Sequence, residues 1–375
     1  MKRISVPRLH AKAAASYLNC YAGFMPISEG RKGILSGLAA AALFGLSVPV
    51  AKTMLVSLRP QVLAAMLYLG SGAGLTLWLA LSRRRVSSDP PFERPDLPFL
   101  AGAVLFGGVL APLILLIGLQ KTASSTASLL LNLEGVFTTL LAWLIFGENL
   151  DRRIAAGMLS IFAAGLLLSW GGSIDVESVM GPAFIGVACL CWGIDNNLSQ
   201  RVSSKDPRRI AALKGLAAGT VNTAIAAVLG QPMNNWRIMS GALIVGFFSY
   251  GLSLVLYIRA LRALGAARTG NYFSTAPFIG AVFSVIVLHE PFSGRLAAAG
   301  VLMAIGVWLH ISETHAHSHV HADEIHEHRH SHDEHHQHEH GPDDPPGEPH
   351  SHPHRHKRLE HSHPHYPDTH HRHTH

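Results

Sequence analysis

Apolar residues in this chain gather into ten long blocks with short polar joints between them. The blocks fall at about residues 33–55, 60–82, 98–119, 122–146, 153–171, 181–201, 208–230, 239–260, 266–289 and 295–312. The fourth, Thr122 to Phe146, is 25 residues long and holds one ionisable group, Glu134, near its centre. At about 1.5 Å of rise per residue, such a helix exceeds the roughly 30 Å hydrocarbon core of a bilayer, so the pattern predicts membrane-spanning helices. Several blocks meet across only a few residues, as at Gln120-Lys121, which requires tight antiparallel hairpins. Pro49, Pro112 and Pro277 interrupt three blocks; inside a bundle the carbonyls they free can find partners, so kinks are expected there. Gly33-x-x-x-Gly37 and Gly70-x-x-x-Gly74 predict close helix contacts.

The blocks repeat. At an offset of 142 residues Leu261 falls on Leu119, Thr275 on Leu133, Phe278 on Val136, Glu290 on Glu148 and Arg295 on Arg153. An internal repeat in a multi-span chain marks a transporter built from two similar halves. Five spans per half is an odd number, so the second half is inverted relative to the first. The expected fold is an all-α integral membrane protein of ten transmembrane helices in two inverted five-helix repeats. The halves are residues 33–175 and 176–312, flanked by a basic N-terminal extension (1–32) and a tail (313–375).

Charge orients the arrangement. The sequence carries a formal charge of +6, but residues 314–375 hold 11 acidic and 5 basic groups, leaving 13 acidic and 25 basic in the first 313. With the N-terminus in the cytoplasm, the inside segments carry 19 Lys/Arg and the outside loops only Arg59, Lys121, Arg237 and Arg295. The positive-inside rule therefore predicts an inner (plasma) membrane protein with both termini cytoplasmic, Glu148 inside and Glu290 outside. The basic excess faces lipid headgroups rather than nucleic acid. Trp78, Trp170 and Trp308 lie near span ends, as an interfacial belt would place them. The extension has no apolar core of signal-peptide length, and Met25 offers a second start site. Cys20, Cys189 and Cys191 give no disulfide framework, and the latter two are expected to pack.

The tail is of another character. Of 26 histidines, 23 lie between His315 and His375, many in alternating runs: His315, His317, His319 and His321; His326, His328, His330 and His332; His350, His352, His354 and His356. With few apolar residues and prolines at Pro342, Pro345 and Pro346, it predicts disorder. Imidazoles at this density can chelate divalent zinc, nickel, cobalt or copper without a defined geometry. No cofactor is required. His326-Glu-His-Arg-His330 fits the H-E-x-x-H pattern, but that spacing binds zinc only on a stable helix and arises by chance where histidines alternate with acids.

Asn132-Leu-Glu-Gly-Val-Phe-Thr-Thr-Leu-Leu-Ala-Trp-Leu-Ile-Phe-Gly-Glu148 resembles the fourth-span signature of the EamA-type repeat of the drug/metabolite transporter superfamily. That pattern has Glu-Pro near its middle and Gly-Glu at its end. Here Glu134 matches and Gly135 replaces the proline, whereas the second copy keeps Pro277 and lacks the glutamate. Cys191-Trp-Gly-Ile-Asp195 and Leu43-Phe-Gly-Leu-Ser47 are similar to the element that opens each repeat. The resemblance covers residues 33–312 and implies a transporter, with no substrate specified.

Ionisable groups inside spans cost about 2.5–3.5 kcal/mol each on insertion scales, so each needs a reason. Glu134 reads either as a cavity carboxylate that exchanges a coupling proton or as an interhelical hydrogen-bond partner. Asp195, Asn196 and Asn197 fan over roughly 200° of a helix, too wide for one seam, so part of the trio is expected to meet a cavity. Asn132, Asn222, Asn271 and Tyr272 are lesser substrate or coupling candidates, and Lys52 and Lys214 are expected to snorkel. No Walker A pattern is present, which argues against an ATP-driven pump or another enzyme. The expected function is a secondary transporter, an exporter, moving a small metabolite, amino acid or drug-like compound by alternating access. Its partners are the bilayer and that small molecule, and a homodimer is an allowed assembly. The alternatives are a divalent-metal exporter or a metal-responsive membrane sensor that uses the histidine tail.

Overall fold

The structure is a computed structural model. It describes residues 27–81, 92–146, 151–169, 176–202, 205–264, 266–311, 315–321, 324–330, 350–356 and 359–365. Glu148, Cys20 and most of the N-terminal extension lie outside the described residues.

Among the described residues nine helical segments are long and apolar enough to cross a membrane: Arg31–Met54, Pro60–Leu81, Arg94–Lys121, Ser124–Ile145, Arg152–Ser169, Val179–Gln200, Arg208–Val228, Trp236–Leu261 and Thr269–Val287. A shorter apolar helix, Gly294–Leu309, completes ten. We number these the first to tenth spans. Their bounds agree with the hydropathy blocks to within four residues.

The packing follows the repeat. The second span lies along the seventh, the fifth along the tenth, the third along the sixth and the eighth along the first. Small residues allow the closest approaches. A Cβ on Gly215 would stand 2.7 Å from the Gly72 Cα, and one on Gly246 would strike the Leu67 backbone. The two spaced glycine pairs are indeed close contacts. Gly33 and Gly37 face Leu264, Ala263, Tyr272 and Ala260, while Gly70 and Gly74 face Leu243 and Phe247.

The spans depart from straight helices at repeat-equivalent places. The third contains a π-helical turn at Val104–Leu110 and the eighth one at Phe247–Leu252, an offset of 142 residues at their ends. Such a turn frees carbonyls, and side chains take them up. The Tyr68 hydroxyl donates to the Gly107 carbonyl (2.7 Å), the Trp192 indole N–H donates to the same oxygen (3.1 Å), and Asn222 Nδ2 donates to the Gly108 carbonyl (3.0 Å). The first span breaks at Leu46, the fourth between Leu130 and Leu133, and the ninth between Phe273 and Ala276. Pro49, Pro112 and Pro277 each follow an interruption. The fourth span breaks with no proline.

The tail forms a separate unit, Ser312–His375. Where the sequence predicts disorder, four segments pair in two antiparallel ladders: β1 (His315–His321) with β4 (Leu359–His365), and β2 (Glu324–His330) with β3 (His350–His356). The period-2 alternation suits a strand. Pro353 and Pro364 are tolerated because a two-stranded ladder consists only of edges. The side chains of the tail histidines, and the whole of His332, lie outside the described residues.

Candidate functional site

The breaks in the first, fourth and ninth spans meet at one cavity of about 270 Å³. The fourth span contributes Leu131, Asn132, Glu134 and Gly135, and the ninth contributes Gly270, Phe273, Ser274, Ala276 and Pro277. Phe44, Ile161, Tyr257 and Val307 close the lining from the first, fifth, eighth and tenth spans. Equivalent side chains tie down both breaks. Asn132 Nδ2 donates to the Leu129 carbonyl (2.9 Å), and 142 residues on, Ser274 Oγ donates to the Asn271 carbonyl (2.9 Å). Each side chain thereby adds a bond to a carbonyl beside the break.

The wall is mostly apolar, with Asn132, Glu134, Ser274 and Tyr257 supplying polarity. Glu134 Oε1 accepts a hydrogen bond from Asn196 Nδ2 (2.9 Å), which also lies 3.1 Å from Thr138 Oγ1. Behind this, Asp195 forms an ion pair with Lys214 at 2.5 Å and accepts from Ser199 Oγ at 2.9 Å. Lys214 thus reaches inward to a carboxylate; it does not snorkel. Asn197 turns away and donates to the carbonyls of Thr138 (3.1 Å) and Gly193 (2.8 Å). The three consecutive polar residues therefore serve three surroundings. Only Asn196 reaches the cavity, and it does so through Glu134.

Of the sequence candidates, Glu134 and Asn132 line the cavity and Asn196 joins them. Asn222 is buried against the Gly108 carbonyl, away from it. Asn271 is exposed next to the cavity, and Tyr272 packs against Gly37. Sequence reasoning missed Phe44, Tyr257, Phe273 and Ser274. Their signal was faint: Phe44 sits in the repeat-opening element, Phe273 ends the helix before the ninth-span break, and Ser274 lies within that break, three residues before Pro277.

On one side of the cavity the two halves are in contact. Glu290, from the loop after the ninth span, accepts from Ser124 N (2.7 Å), Ser124 Oγ (2.6 Å) and Ser125 N (2.8 Å) at the start of the fourth span. Burial pushes the Glu290 carboxyl up, but these side-chain and backbone donors outweigh it and hold it below the ordinary carboxylate range. Ser124 Oγ also lies 2.9 Å from Ser284 Oγ. Lys52 donates to the carbonyls of Leu119 (2.5 Å), Gln120 (3.2 Å) and Thr122 (3.0 Å) at the end of the third span, where helix carbonyls lack partners. It is bonded rather than snorkelling. Nearer the cavity, a Cβ on Gly280 would stand 2.6 Å from the Gly45 carbonyl oxygen and 2.7 Å from Ser128 Oγ. No side chain fits between the three spans there.

Among the described residues no three His, Cys, Asp or Glu side chains come together as a metal-ligand set. Broken helices flanking a cavity, in two equivalent halves of apolar membrane-length helices, mark an α-helical membrane transporter. The model of the EamA-like transporter family matches twice, at residues 31–170 and 179–312, one match per half. The chain belongs to the EamA-like transporter family of the drug/metabolite transporter superfamily.

The relatives agree. A Methanothermobacter thermautotrophicus protein named as an uncharacterized transporter is 32% identical over 295 residues, covering 74% of this chain and 85% of its own. The Bacillus subtilis uncharacterized transporter YyaM is 22% identical over 205 residues, covering 51% of this chain and 67% of its own. A crystal structure of a protein shares the fold with a TM-score of 0.55 at 21% identity, covering 75% of this chain and 98% of that one.

Proposed function

We propose that this transporter resides in the inner membrane with both termini in the cytoplasm. It exports a small metabolite, amino acid or drug-like compound by alternating access, without enzymatic turnover. The observation that carries the reading is the cavity at the meeting of three broken spans, sealed on one side by groups contributed from both halves. Under the orientation given by the Lys/Arg distribution, the Lys52–Glu290 end faces outward, and this form is closed to the outside. Glu134, beside the fourth-span break, is the binding and coupling carboxylate, with Asn132 and Asn196 as its neutral partners.

The test is a growth screen of cells that lack or overproduce the protein, challenged with toxic amino acids, amphipathic drugs and metal salts. Hits are followed by efflux from preloaded cells. The reading expects protection by the native protein against at least one organic compound, and loss of protection on filling the cavity with Gly270→Leu. Gly270 lines the cavity, and a Cβ there meets nothing within 4 Å. Protection that survives Gly270→Leu would refute this cavity as the path.

A further inference from the structure

We propose that the substrate is an organic cation: an ammonium group, held by Glu134, on an aromatic or similarly flat apolar body. The proposal rests on the preceding reading of the cavity as the transport site.

The first ground is charge. Lys214 is engaged by Asp195 and Ser199, so that pair is neutral as a unit. Lys52 is held by three carbonyls at the sealed end. Glu134 receives only the neutral amide of Asn196 and lines the cavity. The chamber therefore presents one carboxylate with no cation opposite it among its lining residues. In a low-dielectric surrounding, such a charge is best matched by a cation brought by the ligand.

The second ground is the wall. Phe44 and Phe273 stand with ring centroids 5.4 Å apart, and Tyr257 meets Phe273 edge-on at 5.0 Å. Three contiguous rings on the first, eighth and ninth spans offer the faces to which ammonium groups and aryl bodies are attracted. Gly135 and Gly270 leave open space, since a Cβ on either meets nothing within 4 Å. The roughly 270 Å³ of room suits a ligand of one ring and a short chain.

The third ground concerns anions. Half-helix N-termini in broken spans often bind carboxylates. Here several of those donors are already used: Asn132 N donates to Leu129 O (3.1 Å), Glu134 N to Leu131 O (3.0 Å) and Thr275 N to Tyr272 O (3.2 Å), while Pro277 has none to offer. A substrate carboxylate would face Glu134 with little compensation.

The experiment is calorimetric titration of the full chain in lipid nanodiscs at neutral pH with three matched probes: 2-phenylethylammonium, 2-phenylethanol and 3-phenylpropionate. The expected result is that the ammonium binds at least tenfold more tightly than the alcohol and that the propionate does not bind. Glu134→Gln should abolish the tenfold preference, the ammonium then binding no more tightly than the alcohol, while the glutamine carbonyl still accepts from Asn196. Glu134→Asp should restore part of the preference. Gly270→Leu should abolish binding of the ammonium and the alcohol. If the alcohol binds as well as the ammonium and Gly270→Leu abolishes both, the cation proposal falls and the cavity reading stands. If binding of every probe ignores Gly270→Leu, or no probe binds, the cation proposal falls; in the former case the cavity reading falls with it.

Discussion

Removing the Glu290 carboxylate should unlatch one end of the transporter by an amount the structure allows to be worked out. Glu290→Ala deletes three hydrogen bonds to a charged acceptor, from Ser124 N, Ser124 Oγ and Ser125 N. Each such bond to a charged acceptor contributes about 1.5–3 kcal/mol net of competition with water. The three share one half-buried carboxylate and are not additive, so the preference for the sealed form is about 2–3 kcal/mol. That corresponds to a shift in the sealed-to-open ratio of roughly 30- to 150-fold. Ser128 gives the reporter: it is buried beneath the seal, facing Gly280, and its hydroxyl has no hydrogen-bond partner among the described residues, so Ser128→Cys is close to isosteric. The assay is the labelling rate of that cysteine by a membrane-impermeant thiol reagent in nanodiscs, in a background lacking Cys20, Cys189 and Cys191. Glu290→Ala should speed labelling by one to two orders of magnitude. The pH dependence follows from the same contacts. A carboxyl whose value is lowered in the sealed form contributes fully above the ordinary carboxylate value of about 4.3, and the contribution is lost as pH falls through the lowered value. Taken at each pH as a ratio to the Glu290→Gln variant, which cancels the fall in thiolate with acidity, labelling should therefore be flat from neutral pH down to about 5 and rise below about 4. An unchanged labelling rate in Glu290→Ala would show that the seal does not depend on this carboxylate.

Lys214→Ala should leave Asp195 as an uncompensated buried charge and cost about 3–5 kcal/mol, seen as a lower melting midpoint and reduced yield in detergent. The double change Lys214→Met, Asp195→Leu should recover most of that loss. Gly215→Ala places a methyl group against the Gly72 backbone and should destabilise by about 1–3 kcal/mol, whereas Gly186→Ala, which meets nothing within 4 Å, should leave the melting midpoint unchanged. Gly135→Pro restores the family's residue at the fourth-span break; in the first helical turn it should leave melting unchanged or slightly raised while lowering ligand affinity, because the ring projects into the cavity. Truncation after Glu313, which removes the separate histidine-rich unit, should leave organic-compound efflux intact, measured against the full chain at equal expression.

Much of the architecture was legible because a bilayer enforces a simple code. Spans must be long and apolar, and a charge within one must have a purpose. Glu134 stood out for that reason, and it lines the cavity. What the sequence hid depends on partners far along the chain. Lys214 lies 19 residues from Asp195, on another span, and no local pattern distinguishes an inward-turned lysine from one that snorkels. Lys52 is similar, since its three carbonyl partners are 67 to 70 residues away. The fourth-span break was hidden differently. Proline announces a break in the ninth span, but in the fourth Asn132 stabilises one through a side-chain bond to Leu129 O, and asparagine in an apolar run reads as a binding residue. Asn132 fills both roles by position, capping the break and lining the cavity. In the tail, the sequence showed the lack of a core but not the pairing of alternating segments, because compositional arguments are blind to register.

The two halves share a scaffold but divide its chemistry. At the breaks, Asn132 and Ser274 are equivalent and do the same work on equivalent carbonyls. Two residues further on the equivalence ends. Glu134 corresponds to Ala276 and Gly135 to Pro277, so the first half supplies the carboxylate and the open space, while the second supplies a rigid turn. The aromatic wall is uneven as well, with Phe44 from the first half and Tyr257 and Phe273 from the second. A duplicated bundle can rock about its cavity because its two ends are built alike. Within that bundle a ligand would meet a polarised chamber, with the Glu134 carboxyl group on the fourth span and rings mainly on the eighth and ninth. That separation would orient an asymmetric molecule. Its charged end would be held by one half and its apolar body largely by the other, so relative movement of the halves would act on the ligand from both ends.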